Sequence, residues 1–256
     1  MSATQRPVQT PMRTLGVLGG MSWESTAVYY RLLNQGVAQR LGGLHSAALV
    51  LHSVDFAEVA ALQSAADWPG TAALLTQAAR GLQQAGAQAL VLATNTMHKV
   101  AAHIEAGTGL PLLHIADATG AALQAAGVQH AALLGTRFTM EDRSIVADHL
   151  AQRFGLQISV PGPEDRTLMH RVIFDELCRG QVRDASRAAV VAMIERQRQQ
   201  GAQAVILGCT EIGMLIDTTC SPLPVFDTTV LHAAAAVDWM LADALPPSPH
   251  PQGNAP

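Results

Sequence analysis

An apolar run that stops at a small polar turn occurs twice, far apart in the chain. The first copy is Ala89-Leu90-Val91-Leu92-Ala93-Thr94-Asn95-Thr96-Met97, and the second is Val205-Ile206-Leu207-Gly208-Cys209-Thr210-Glu211. Short continuous apolar runs of this kind suit strands buried on both faces, as in parallel sheets covered by helices. Thr94 occupies in the first copy the slot that Cys209 fills in the second. Other stretches repeat in the same order. Leu15-Gly16-Val17-Leu18-Gly19-Gly20 is echoed by His130-Ala131-Ala132-Leu133-Leu134-Gly135-Thr136, and the stretch from Leu110-Pro111 to Asp117 by Leu223-Pro224-Val225-Phe226-Asp227-Thr228. A duplication of alternating strands and helices predicts an α/β fold of two similar parallel-sheet lobes with pseudo-twofold symmetry. Ligands of such sheets bind beyond the carboxyl ends of the strands, so Thr94 and Cys209 are expected to face each other across the cleft between the lobes.

The pattern places strands at about 14–18, 47–52, 89–94, 110–115, 130–136, 157–160, 205–209 and 223–228. Helices are expected over 23–40, from 56 to 63, and over 67–85, 97–106, 118–126, 143–154, 166–179, 184–200 and 230–245. Ser22 or Ser25 caps the first of these, and Asp117 caps the helix from 118. The first lobe is expected to span 14–115 plus 229–245 and the second 116–228. Flexible tails are expected at 1–13 and 246–256.

A hydrophobic fraction of 49% is ample for such cores. The net charge of −4 and the scattered basic residues argue against nucleic-acid and membrane-surface partners. The three cysteines, Cys178, Cys209 and Cys220, are odd in number and form no CxxC pair, which argues against a disulfide framework or a structural zinc. Residues 1–13 hold no apolar secretion-signal core and no segment is long enough to span a bilayer, so a cytoplasmic protein is expected.

A cysteine between a strand's carboxyl end and a helix's amino end is expected to have its thiolate stabilised by free N–H groups and the helix dipole. The turn Gly19-Gly20-Met21-Ser22 lacks both the GxGxxG spacing and the GK[ST] ending of nucleotide loops. Its glycines still let backbone N–H groups approach an anion such as a carboxylate. His98 follows the turn and reads as packing, and no metal-ligand spacing is present. Glu211 and Asp227 read equally as helix caps or as groups that orient the cleft. Cys178 and Cys220 read as structural.

Gly16-Val17-Leu18-Gly19-Gly20-Met21-Ser22, Thr94-Asn95-Thr96-Met97-His98, Leu134-Gly135-Thr136 and Gly208-Cys209-Thr210-Glu211 together resemble the aspartate/glutamate racemase family, which includes hydantoin racemases, maleate isomerases and arylmalonate decarboxylases. The resemblance runs from Arg13 to about Leu245 and is nearest to broad-specificity amino-acid racemases. It implies two α/β lobes with the site between them, a closing helix that returns to the first lobe, a small-molecule substrate, no cofactor and a homodimer. The family typically sets one cysteine at each strand end, a thiolate base and a thiol acid. By that resemblance Cys209 is catalytic on one face of Cα and Thr94 stands where the other thiol would be. Gly20, Met21, Ser22, Asn95, Thr96, Thr136 and Thr210 match substrate-binding positions. Ser53, beside His52, also ends a strand near the expected cleft. Arg166 and Arg137 are the candidates to pair with a side-chain carboxylate. The loss of one thiol opens two further readings: a single-cysteine decarboxylase or isomerase, and a small-carboxylate binder whose catalysis has decayed.

Overall fold

The computed structural model describes residues 12–242. The expected tails therefore lie outside the described residues, except for Met12 and Arg13. Two parallel sheets organise the chain. The first has the order β2-β1-β3, from β1 (Leu15–Gly19), β2 (Leu49–Ser53) and β3 (Ala89–Leu92). The second has the order β5-β4-β6-β7, from β4 (His130–Gly135), β5 (Gln157–Ser159), β6 (Ala204–Gly208) and β7 (Val225–Asp227). The helices are α1 (Trp23–Leu41), α2 (Phe56–Ser64), α3 (Trp68–Gln84), α4 (Ala101–Thr108), α5 (Ile115–Ala125), α6 (Arg137–Glu141), α7 (Ala147–Phe154), α8 (Pro163–Arg171), α9 (Asp184–Gln199) and α10 (Thr228–Leu241).

Both apolar runs are buried on both faces, as their lack of alternation requires. In β3, Leu90 and Leu92 join Leu18, Leu75 and Ile104 on the side of α3 and α4. Val91 and Ala93 join Leu15, Val17 and Tyr29 on the opposite side, beneath α1 and α10. In β6, Val205 and Leu207 face α8 and α9 through Met169, Val190 and Ile194. Ala204 and Ile206 face α5 and α7 through Leu123, Val146 and Leu150. The final helix, α10, lies against α1 on the first sheet, where Ala233, Ala236, Val237 and Met240 meet Leu33 and Val37.

The duplication is visible in single hydrogen bonds. Leu90 N–H donates to the Pro111 carbonyl and Val205 N–H to the Pro224 carbonyl, each at 2.9 Å. The first copy of this fourth strand is cut short, however. The strand expected at 110–115 reduces to one bridge between Leu90 and Leu112, because His114 already leaves the sheet to cap α5. Its Nδ1 accepts from Ala116 N–H at 3.2 Å. Asp117 is therefore not the cap. It lies in the first turn of α5 and binds His149 and Arg153, while Asp227 caps α10 at the position equivalent to His114.

The helix expected from Arg143 also differs. Asp142 accepts from Ser144 N–H and Oγ–H, and this turn separates a short α6 from α7. The helix expected from Arg166 starts at Pro163, a residue suited to a first turn, and widens into a π-turn at Val172–Glu176. Among the described residues no helix is long and apolar enough to cross a membrane.

Candidate active site

The carboxyl ends of β1, β3, β4 and β6 converge on one cavity, with about 500 Å³ of empty space including its mouth. The first lobe contributes Met21, Ser22, Thr94, Asn95 and Thr96, and the second Thr136, Cys209, Thr210 and Glu211. Phe56, Met97, Ile173 and Phe174 supply apolar wall. Cys178 also lines the cavity, a position that isolated inspection of the sequence did not give it.

Gly20, Ser53 and Arg166 do not line this cavity. Gly20 shapes the turn from below. Its φ is +95°, and an added Cβ would stand 2.2 Å from the Val54 carbonyl oxygen and 2.5 Å from the Val54 nitrogen. Gly20→Ala should therefore cost at least ~2 kcal/mol and lower the melting temperature by roughly 4–8 °C; differential scanning fluorimetry reads this directly. Ser53 ends the exposed edge strand β2. Arg166 turns to the Pro161 carbonyl at 3.2 Å and to Glu141 at 3.5 Å, and Arg137 is an exposed partner of the same Glu141. Neither arginine reaches the cavity, because Glu141 on α6, a helix absent from the sequence expectation, holds both.

Glu211 is the hub of the site. It is 5% exposed and accepts four hydrogen bonds. Ser22 Oγ at 2.8 Å and Ser25 Oγ at 2.6 Å donate to Oε1 from the start of α1. Cys209 Sγ at 2.9 Å and Thr210 Oγ1 at 2.7 Å donate to Oε2. Ser25 and Thr210 also touch each other across the lobes. Burial works to raise the Glu211 pKa, but the hydrogen bonds from Cys209, Ser25, Thr210 and Ser22 prevail and hold it below the ordinary glutamate value.

Cys209 departs from expectation. Its residues lead only into a single short turn at Ile212–Met214, so no long helix offers its dipole. Burial first, then the charge and hydrogen bond of Glu211, push the thiol well above its usual range, with the Glu211 backbone N–H acting weakly the other way. The resting group is a thiol, not a thiolate. Cys178, also facing Glu211, is pushed up to about 12 by burial and that same charge.

Thr94 is 8% exposed, and its carbonyl is fixed by His98. The Ile115 backbone N–H donates to His98 Nε2 at 3.2 Å, so the ring proton is on Nδ1, which donates to the Thr94 carbonyl at 2.8 Å. Burial, reinforced by His114 and His232, keeps His98 neutral by holding its pKa well below the usual imidazole value. His98 thus ties the end of β3 to the start of α5. Asn95 Nδ2 donates to Thr228 Oγ1 at 3.0 Å, and the Thr228 hydroxyl in turn donates to the Leu207 carbonyl at 2.8 Å. Asn95 Oδ1 is buried with no hydrogen-bond partner among the described residues.

Two parallel-sheet lobes, a strand-end thiol and hydroxyl in the cleft between them, and a glycine turn beside both define a racemase-like protein. Residues 18–236 match the family model for Asp/Glu/Hydantoin racemase. The chain belongs to that family. A Yersinia pestis protein assigned to the Asp/Glu racemases is 49% identical over 90% of this chain and 100% of its own, with a TM-score of 0.84. An aspartate racemase homologue from Pyrococcus horikoshii is 29% identical over 89% of this chain and 98% of its own, at a TM-score of 0.76. A glutamate racemase from Francisella tularensis, solved with D-glutamate, shares the fold at 13% identity, covering 90% of this chain and 81% of its own, at a TM-score of 0.58.

Proposed function

We propose that the chain is a cofactor-independent amino-acid racemase in which Cys209 serves one face of Cα and Thr94 the other. The observation that carries this reading is the meeting of the β3 and β6 ends in one cavity, which Thr94 and Cys209 both line. Racemisation removes a weakly acidic Cα proton, so a base must act on one face and a donor on the other. The carbanion's charge spreads onto the substrate carboxylate. The hydroxyls of Thr96 and Thr136 lie in the same cavity to receive it, as does that of Thr210, which here donates to Glu211 and would have to turn to the substrate. They are buried or half-buried, and Thr96 and Thr136 share hydrogen bonds with Thr139 at 3.1 and 3.3 Å, which fixes their direction.

Among the described residues the cavity lining holds no lysine, arginine or histidine. A second carboxylate on the substrate side chain has no cation to meet there, which favours neutral side chains over those of aspartate and glutamate. The apolar wall of Phe56, Met97, Ile173 and Phe174 is consistent with that preference.

The test is incubation in D₂O with L-aspartate, L-glutamate and several neutral L-amino acids. NMR follows loss of the Cα proton and chiral chromatography follows the D-form. Exchange accompanied by D-product, faster for neutral side chains, is the expected result. Both enantiomers should give equal kcat/KM, since their free energies in solution are equal. Absence of exchange with every amino acid would overturn the reading and point to a decarboxylase or to a binder.

A further inference from the structure

We infer that Glu211 receives the α-ammonium group of the substrate, and that this ammonium takes the acceptor position held by the Cys209 S–H. Only a ligand that carries a cation then frees the thiol to ionise. The use made of that thiolate rests on the racemase reading; the binding step rests on the geometry of the cavity.

Glu211 is a buried carboxylate with four neutral donors and, among the described residues, no cationic partner. Among the described residues no cationic side chain lines the cavity, so these side chains leave one unbalanced negative charge there. A buried charge of this kind is costly until an opposite charge joins it. The Asn95 Oδ1 atom gives a second, independent sign. Its amide is oriented by the Thr228 relay, so an acceptor, not a donor, is left without a partner beside the same cavity. An ammonium group offers three N–H donors and one positive charge. Such a group suits both the Glu211 carboxylate and the Asn95 carbonyl, which belong to residues lining the same cavity. Malonates and maleate bring two carboxylates and no donor of this type, so the same charge disfavours them.

The coupling to the thiol follows from occupancy. Oε2 of Glu211 already accepts from Thr210 and Cys209. An incoming ammonium replaces the S–H and offsets the charge that opposes thiolate. Cys209–SH then becomes Cys209–S⁻, with its proton released to solvent. The high resting pKa of Cys209 is in keeping with a thiol that stays protonated until substrate arrives. The thiolate next takes the Cα proton and is a thiol again.

The experiment compares 2-aminoisobutyrate, which has no α-hydrogen to exchange, with isobutyrate, which lacks the ammonium. Calorimetry in two buffers of different ionisation enthalpy gives both affinity and protons released. The wild-type protein should bind the amino acid about 30-fold or more tightly than isobutyrate, with release of up to one proton. Glu211→Gln should bring the ratio to within a few-fold and abolish proton release, whereas Glu211→Asp should retain the preference. In Glu211→Gln, Cys209 should also alkylate faster with iodoacetamide at neutral pH, because the charge that suppresses its thiolate is gone. Equal binding of the two ligands by wild type, or an unchanged ratio in a folded Glu211→Gln, would overturn the proposal. If Glu211→Gln does not fold, the wild-type ratio and proton count decide. Ammonium selectivity without any α-exchange would remove the racemase and leave the role of Glu211 standing.

Discussion

Cys209→Ala should lower Cα–H exchange in D₂O by about 10³-fold, the span of a positioned acid or base. Thr94→Ala should behave differently. Exchange driven from the Cys209 face should persist within about tenfold, while formation of the D-enantiomer from the L-form falls by about 10²-fold or more. The split arises because a thiolate can remove a proton and return deuterium on its own face without help. Inversion needs a donor opposite, and in the proposed mechanism that donor is the Thr94 hydroxyl. Thr94→Cys, by restoring a thiol there, should raise inversion relative to exchange. NMR and chiral chromatography on the same samples give both rates. If exchange and inversion fall by the same factor in Thr94→Ala, Thr94 acts in binding and does not donate to Cα.

A second large effect is acid lability between pH 6.5 and about 4. Burial pushes His232 down to about 4, and burial with His149 nearby does the same to His114. His232 is fully buried, accepts from Tyr29 Oη–H at Nδ1 (2.8 Å) and donates from Nε2 to the Leu113 carbonyl at 2.7 Å, so a second ring proton would break the first bond. The sign follows from proton uptake. The unfolded chain protonates these rings near pH 6.5 and the folded chain only near 4, so the unfolded state holds more protons in between. Stability therefore rises with pH through that window and is lost as pH falls. For His232 the full effect is on the order of 3 kcal/mol. Urea unfolding at intervals from pH 7.5 to 4.5 should show the decline, and His232→Gln should flatten it by up to one proton. A flat profile in the wild type would contradict neutral burial of these rings. Glu211 adds a loss of the same direction at lower pH, because its depressed pKa makes its contribution disappear only below the ordinary glutamate value.

The architecture was legible because the core positions of β3 and β6 are apolar on both faces and occur in duplicate. The strand ends therefore announced the cleft, and Thr94, Asn95, Thr96, Thr136, Cys209 and Thr210 all reach it. What stayed hidden depended on partners distant in sequence. Ser25 was visible only as a candidate cap, yet it bonds Glu211 from the other lobe. Arg166 looked free to meet a ligand until α6 placed Glu141 against it. Cys209 shows the same limit: a local rule about helix ends favours thiolate, whereas burial, and then a carboxylate two residues on that the opposite lobe holds, favour thiol. Cys178 gave no sequence signal of its cavity position, since the π-turn at Val172–Glu176 that precedes it is not read from apolar spacing.

The return of α10 to the first sheet has a consequence for how the protein is made. Leu15, Val17, Tyr29 and Leu33 are synthesised early, but part of the surface that covers them, Ala233, Ala236, Val237 and Met240, leaves the ribosome near the end. The segment from α5 to β7 carries its own sheet and both of its covering helix layers, and can close while the first sheet is still only partly covered, by α1, on one side. During translation the later half is thus the earlier to finish. The emerging first lobe carries an open apolar face that chaperones can hold until the last helix arrives.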